Sequence, residues 1–141
     1  MTLQVELVIP DGELWGGPAG MVIAKTLDGD IGVLTGHSPV IGILAEGSVV
    51  RILPEATDGA AEGSEVVAAV SGGFFSVADD RVSVLAREAR LSEQIDIKAV
   101  QASLDDALQH AEPPAAGEQE AVAVRYFRAQ LRAAGAAGDG S

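Results

Sequence analysis

Residues able to turn a chain recur roughly every 6 to 12 positions through the first 88 residues, which leaves room between them only for short strands. Leu3, Val5, Leu7 and Ile9 alternate with Gln4 and Glu6, the pattern of a half-buried strand, and Pro10-Asp11-Gly12 ends it. Glu13-Leu14-Trp15 reads as a short second strand stopped by Gly16-Gly17-Pro18. Gly20 to Leu27 alternates again, and Asp28-Gly29 is a two-residue hairpin signal. Ser48 to Leu53, Val66 to Val70, Phe74 to Val77 and Arg81 to Arg87 complete the series, with Ser71-Gly72-Gly73 as a bend or bulge. Pro54 to Glu65 reads as a long, mobile hairpin tip. Eight or more short strands with turn signals at this spacing point to an antiparallel sandwich or barrel.

The period changes near residue 90. Ile97, Val100, Leu104, Ala107, Leu108 and Ala111 are spaced by helical steps, and Asp96 stands where an N-cap belongs. Glu112 to Gly117, with two prolines, breaks the helix. A second helix carries Val124, Phe127, Leu131 and Ala134 on one face and Arg125, Arg128 and Arg132 on the other, and Gly135 ends it. The expected organisation is a β domain over 1–88, a linker over 89–94, a helical hairpin over 95–135 and a loose tail over 136–141. Two helices hold little core of their own, so the pair is expected to be detachable.

Charge narrows the partners. The net charge is −12, and residues 1–80 hold 12 acids against 2 bases. An acidic body lacks the basic footprint that a nucleic-acid backbone or an anionic lipid surface requires. A basic protein partner is the better match. There is no cysteine, no apolar run near the roughly 18 residues of a membrane span, and no signal-peptide pattern at the start. The chain reads as soluble, on the cytoplasmic side, without lipid insertion.

The stretch from Asp28 to Leu44, with four glycines and one proline, holds His37 at a corner and Asp30 at a strand start. Nothing near His37 offers a metal-ligand spacing, and no nucleophile elbow accompanies Ser38. His37 is then either a turn histidine bonded to backbone or a contact for a partner. The glycines match neither phosphate-loop pattern, and Asp105-Asp106 reads as a solvated helix face. The arginine stripe is either a solvated face or a seat for acidic or phosphate groups.

Taken together, Asp28-Gly29-Asp30-Ile31-Gly32-Val33-Leu34-Thr35-Gly36-His37-Ser38-Pro39 resembles the signature Glu-Gly-Glu-[Ile/Leu]-Gly-x-x-Pro-Gly-His-[Ala/Ser]-Pro of the epsilon subunits of bacterial F-type ATP synthases. Gly47-Ser48-Val49-Val50-Arg51-Ile52, Gly72-Gly73-Phe74 and Ile95-Asp96 resemble further family motifs, in order. The resemblance implies a ten-stranded sandwich followed by a helical hairpin, in a non-catalytic rotor subunit at the cytoplasmic face of the membrane. Such a subunit binds the gamma subunit, rests on the c-subunit ring and couples rotation to ATP synthesis. It also implies a hairpin that can rise to the alpha/beta catalytic head and suppress ATP hydrolysis. Asp28, Asp30, Gly36, His37 and Ser38 fall where the family meets the c ring and gamma. Arg125, Arg128 and Arg132 fall where inhibitory members carry basic residues.

Two departures stand out. Thr35 replaces the usual proline. The family's ATP-binding motif, Ile-Asp-x-x-Arg-Ala, has Ala99 here in place of its arginine, and Lys98 lies one step early, about 100° around the helix. Asp96, Arg125 and Arg128 are the candidate ATP contacts that remain, and no cofactor is required. The alternative readings are a stand-alone ATP-sensing module and a generic β-sandwich interaction domain.

Overall fold

A computed structural model of the chain describes residues 2–54, 56–57, 60–61, 65–110 and 121–139, with backbone alone for 56–57, 60–61 and 136–139. Among these, the strands are β1 (Leu3–Ile9), β2 (Gly12–Ala19), β3 (Met21–Thr26), β4 (Gly29–Val33), β5 (Val40–Ile43), β6 (Ser48–Leu53), β7 (Ala56–Thr57), β8 (Ala60–Ala61), β9 (Val66–Ala78) and β10 (Arg81–Leu91). The helices are α1 (Ile97–His110) and α2 (Val122–Asp139). A β-sandwich followed by two helices is thus the observed architecture. The main sheet runs β2-β1-β10-β9-β6-β3-β4, with β5 also paired to β9. Its ladders are antiparallel except β1 with β10, which is parallel.

Alternation places the core. Leu3, Val5 and Leu7 of β1, Ala68, Val70, Phe75 and Val77 of β9, and Val82, Val84 and Ala86 of β10 point into one cluster with Val22, Val50 and Ile52. Each buried valine, leucine or isoleucine here contributes about 1.5 to 3 kcal/mol and each alanine less, so the sandwich stands on this cluster with Phe75 as its one fully buried aromatic among the described residues.

β9 is one continuous strand, where the sequence suggested two. Gly72 (φ +66°) and Gly73 (φ +114°) bend it without ending it. Its first half pairs with β6 and its second half with β5, while β10 follows it on the other side throughout. The β9–β10 hairpin closes through Asp79 and Asp80, both at positive φ, as a two-residue turn of this kind demands.

Several boundaries differ from the sequence expectations. β2 runs through Gly16-Gly17-Pro18 because it is an edge strand, where a proline need not cost a ladder bond. The β3–β4 loop is Leu27-Asp28, one residue before the Asp28-Gly29 pair, with Thr26 opposite Gly29. β10 extends to Leu91 rather than Arg87. Within the segment read as a hairpin tip, β7 and β8 pair antiparallel; the remainder of the tip is only partly described. The break at 112–117, Ala111 of the first apolar stripe, and the tail at 140–141 lie outside the described residues.

Asp96 caps α1, its Oδ1 accepting from the Ala99 N–H at 3.2 Å. In α1 only Val100 and Leu104 are buried; Ile97 and Leu108 stay exposed. α2 continues past Gly135 to Asp139. Its sheet-facing side is not the stripe read from the sequence. Tyr126, Ala129 and Ala133 pack on Val67 and Ala69 of β9, with Val49 and Ile95 beside them. Val124 is also buried, while Phe127 and Leu131 are half-buried. A face made of alanines and a tyrosine carries little hydropathy, so the leucine–phenylalanine stripe masked it.

Candidate functional site: an uncovered apolar sheet face

The outward side of β9 has two halves. Val67 and Ala69 lie under α2. Beyond the bend, Phe74 is 54% exposed. It stands opposite Ile43 of β5 and Leu85 of β10, and Leu85 stands opposite Val8 of β1. Directly opposed residues share a face, so Ile43, Phe74, Leu85 and Val8 form one row across four strands. Ile41, 77% exposed, stands one pair further along. Leu27, also exposed, donates its N–H to the Ile43 carbonyl at 3.0 Å. Isolated exposed apolar residues are ordinary; a contiguous row marks an interaction surface.

Local sequence explains why these side chains face outward. A Cβ on Gly42 would overlap the Phe75 ring, so the ring fills the inward position and both flanking isoleucines point out. Phe74 and Phe75 are adjacent in a strand, so one must leave the core. A polar row borders the apolar one: Ser76 opposes Ile41 and Ser83, and the Ser83 hydroxyl donates to Glu6 Oε1 at 2.8 Å. Sequence reasoning passed over this surface, although Ile-Gly-Ile and Phe-Phe inside predicted strands were its available signals.

The corner that drew attention in the sequence lies at the far end of β4. Gly36, at φ +83°, occupies the tight position of a turn closed by the His37 N–H to the Leu34 carbonyl at 3.1 Å. The Gly36 N–H donates to Asp80 Oδ1 at 2.7 Å, which ties the corner to the β9–β10 turn. His37 Nδ1 lies 2.7 Å from the Ser38 carbonyl oxygen, so the ring is bonded to backbone and half-buried. Ser38 is exposed. Asp28 and Asp30 are exposed at the β3–β4 tip, Asp30 opposite Lys25. Asp80, which sequence reasoning did not single out, is the anchor of this corner.

The remaining candidates divide between two places. Asp96 lines a cleft of about 600 Å³ between β10 and the helices, together with Ala99, Arg87, Arg90, Tyr126 and Gln130; Arg125 and Arg128 are not among its lining residues. Arg132 reaches the sandwich instead, donating to the Gly47 carbonyl at 2.8 Å, and the backbone of Arg125 lies against the same glycine. The arginine stripe is therefore built partly into the seat of α2 rather than wholly presented to solvent. Among the described residues no cluster of His, Asp or Glu is placed to hold a metal ion, and no helix is long and apolar enough to cross a membrane.

Tyr126, the chain's one tyrosine, reports on this seat. Burial pushes its phenol up to about 12, with the Glu88 charge adding to the shift and Arg90 opposing it. A raised acid pKa means that the docked state prefers the neutral phenol. That contribution is whole below the ordinary value of about 10 and is lost as the pH climbs towards 12. The thermal midpoint should fall across that window, and Tyr126→Phe should lessen the fall; equal pH profiles for the two proteins would contradict the burial.

Comparison with known proteins gives a consistent picture. Residues 2–92 match the family described as ATP synthase, Delta/Epsilon chain, beta-sandwich domain. The ATP synthase epsilon chain of Thermobifida fusca is 52% identical over 134 residues, covering 94% of this chain and 91% of its own length. That of Streptomyces griseus is 42% identical, covering 87% and 97%. Among solved structures, a chain of the Euglena gracilis mitochondrial ATP synthase, from its OSCP/F1/c-ring in rotational state 1, superposes with a TM-score of 0.71 at 25% identity, covering 94% of this chain and 81% of that one. A chain from the central stalk/c-ring of the Tetrahymena thermophila enzyme shares the fold, with a TM-score of 0.52 at 15% identity.

Proposed function

The chain belongs to the ATP synthase epsilon-chain family, and from that premise we propose that its sandwich docks the gamma subunit through the uncovered apolar face. Epsilon chains are non-catalytic subunits of the central stalk. The observation that carries the docking reading is the row Ile43–Phe74–Leu85, left bare on a sheet face whose other half is sealed by α2. Apolar area of this kind supplies the association energy, and the adjoining Glu6–Ser83 pair supplies orientation.

In the same reading the acidic β3–β4 tip, Asp28 and Asp30, with Gly36, His37 and Ser38 close by in sequence, meets the c ring and the rim of gamma. The subunit then couples ring rotation to ATP synthesis and lies peripherally at the cytoplasmic face of the membrane. It needs no nucleotide: Ala99 lines the cleft beside Asp96 where the ATP-binding motif has its arginine, and neither Arg125 nor Arg128 is among the residues lining it. Co-elution with purified gamma subunit from the same source tests the docking. A stoichiometric complex is expected, and separate elution of two folded proteins would overturn it.

The helical pair restrains ATP hydrolysis when it leaves the sandwich and presents Arg125, Arg128 and Arg132 to the alpha/beta head. What supports this is the thin seat of α2, in which two of the three sheet-facing side chains are alanines. Removal of residues 113–141 should raise ATP hydrolysis by the assembled complex severalfold. Equal rates with and without the segment would refute the restraint and leave the docking untouched.

A further inference from the structure

We propose that the turn from Leu44 to Ser48 couples the apolar face to the helical pair, so that gamma bound on Ile41, Ile43, Phe74 and Leu85 tightens the seating of α2. This rests on the reading of that face as the gamma-docking surface, and concerns how its occupancy is sensed.

The turn touches both sides. Upstream it continues β5, which carries Ile41 and Ile43. Downstream it holds Gly47, at φ +62°, whose carbonyl accepts from Arg132 and where a Cβ would come within 2.5 Å of the Arg125 backbone. Between them stands Glu46. Its carboxylate accepts from the Ser71 hydroxyl at 3.2 Å and forms an ion pair with Arg87, whose side chain lies over Gly72 at the bend of β9. The bend separates the covered half of the face from the bare half, and Arg87 is two residues along β10 from Leu85. The turn is pinned at each step: the Leu44 N–H donates to the Gly73 carbonyl at 3.0 Å, the Ala45 N–H to the Lys25 carbonyl at 2.9 Å, and the Ser48 hydroxyl to the Ala45 carbonyl at 2.8 Å.

The sign of the coupling follows from ordering. A partner that immobilises Ile41, Ile43 and Phe74 also fixes β5 and the bend, and so holds Glu46 and Gly47 in the geometry that α2 requires. Unseating α2, which disturbs that geometry, is then opposed by the partner as well as by the pins of the turn. Linkage makes the effect reciprocal, since a seated α2 raises affinity for gamma by the same factor. Couplings of this type are about 5-fold or larger. The α2 seat is small enough for such a bias to be visible.

The test uses the full chain and gamma. Gly47→Ala and Arg132→Gln disturb the α2 seat without touching the apolar face. Both should speed α2 amide exchange and weaken gamma binding by about 5-fold. In the unsubstituted chain, gamma should slow α2 exchange by a similar factor. Arg87→Gln should keep gamma bound while making α2 exchange insensitive to it. Should Gly47→Ala not fold, Arg132→Gln carries the measurement. Faster α2 exchange with unchanged gamma affinity would overturn the coupling and leave the docking reading standing. Unweakened binding of gamma to Phe74→Asp would remove the docking reading, and the coupling with it.

Discussion

Replacing Phe74 with aspartate should weaken association with gamma by about 100-fold or more while leaving the sandwich folded. The two halves of that expectation have separate causes. Phe74 is more than half exposed, and its inward neighbour Phe75 holds the core position. The isolated chain therefore loses only the strand preference of an aromatic residue, about 1 kcal/mol. On the proposed docking face the same site lies at the centre of the apolar row, between Ile43 and Leu85. Aspartate there would remove the aromatic ring of that row and put a carboxylate among apolar side chains, which costs more than the lost area alone. Titration calorimetry against gamma, alongside thermal unfolding, separates the two halves. Wild-type affinity in a folded variant would place the docking surface elsewhere; loss of both fold and binding would make Phe74 a core residue.

The same residue shows what the sequence could and could not disclose. Alternation and turn chemistry were sufficient for an antiparallel sandwich or barrel, because strands such as those of Leu3, Val5 and Leu7 or of Val82 and Val84 bury one face and expose the other, and the resemblance chose the sandwich. The Asp96 cap and the periodicity after it were sufficient for α1. The interaction surface was less legible, because an outward apolar row is written in the same letters as an inward one. Only the position of Gly42 against Phe75, and the halt of α2 over the first half of β9, distinguish them. The seat of α2 was hidden for the opposite reason: Ala129 and Ala133 are weak apolar signals that matter because a close approach to β9 requires small side chains. Long-range polar ties such as Asp80 to Gly36 and Glu46 to Arg87 join residues more than 40 positions apart, and no local pattern announces them.

The second large effect concerns the bend itself. Gly73→Ala should destabilise the chain by at least about 3 kcal/mol, enough to lower the thermal midpoint by roughly 10 °C or more. Two costs coincide at this position. Its φ of +114° is a conformation that L residues rarely adopt. The added Cβ would also run into the Leu85 carbonyl oxygen and lie 2.8 Å from the Ala86 Cα. These are backbone atoms of the paired strand, so no side chain can swing aside to relieve the overlap. Gly73 opposes Ala86 in the ladder and accepts from the Leu44 N–H, so any shift that makes room disturbs both β10 and the start of the 44–48 turn. Gly36→Ala is the informative comparison. Its φ is also positive, at +83°, but a Cβ there meets nothing within 4 Å. It should therefore cost only the backbone preference, about 1 to 2 kcal/mol. Equal destabilisation by the two substitutions would show that backbone conformation alone governs the bend. A markedly larger loss at Gly73 would show that the close contact between β9 and β10 at the bend adds to the backbone cost.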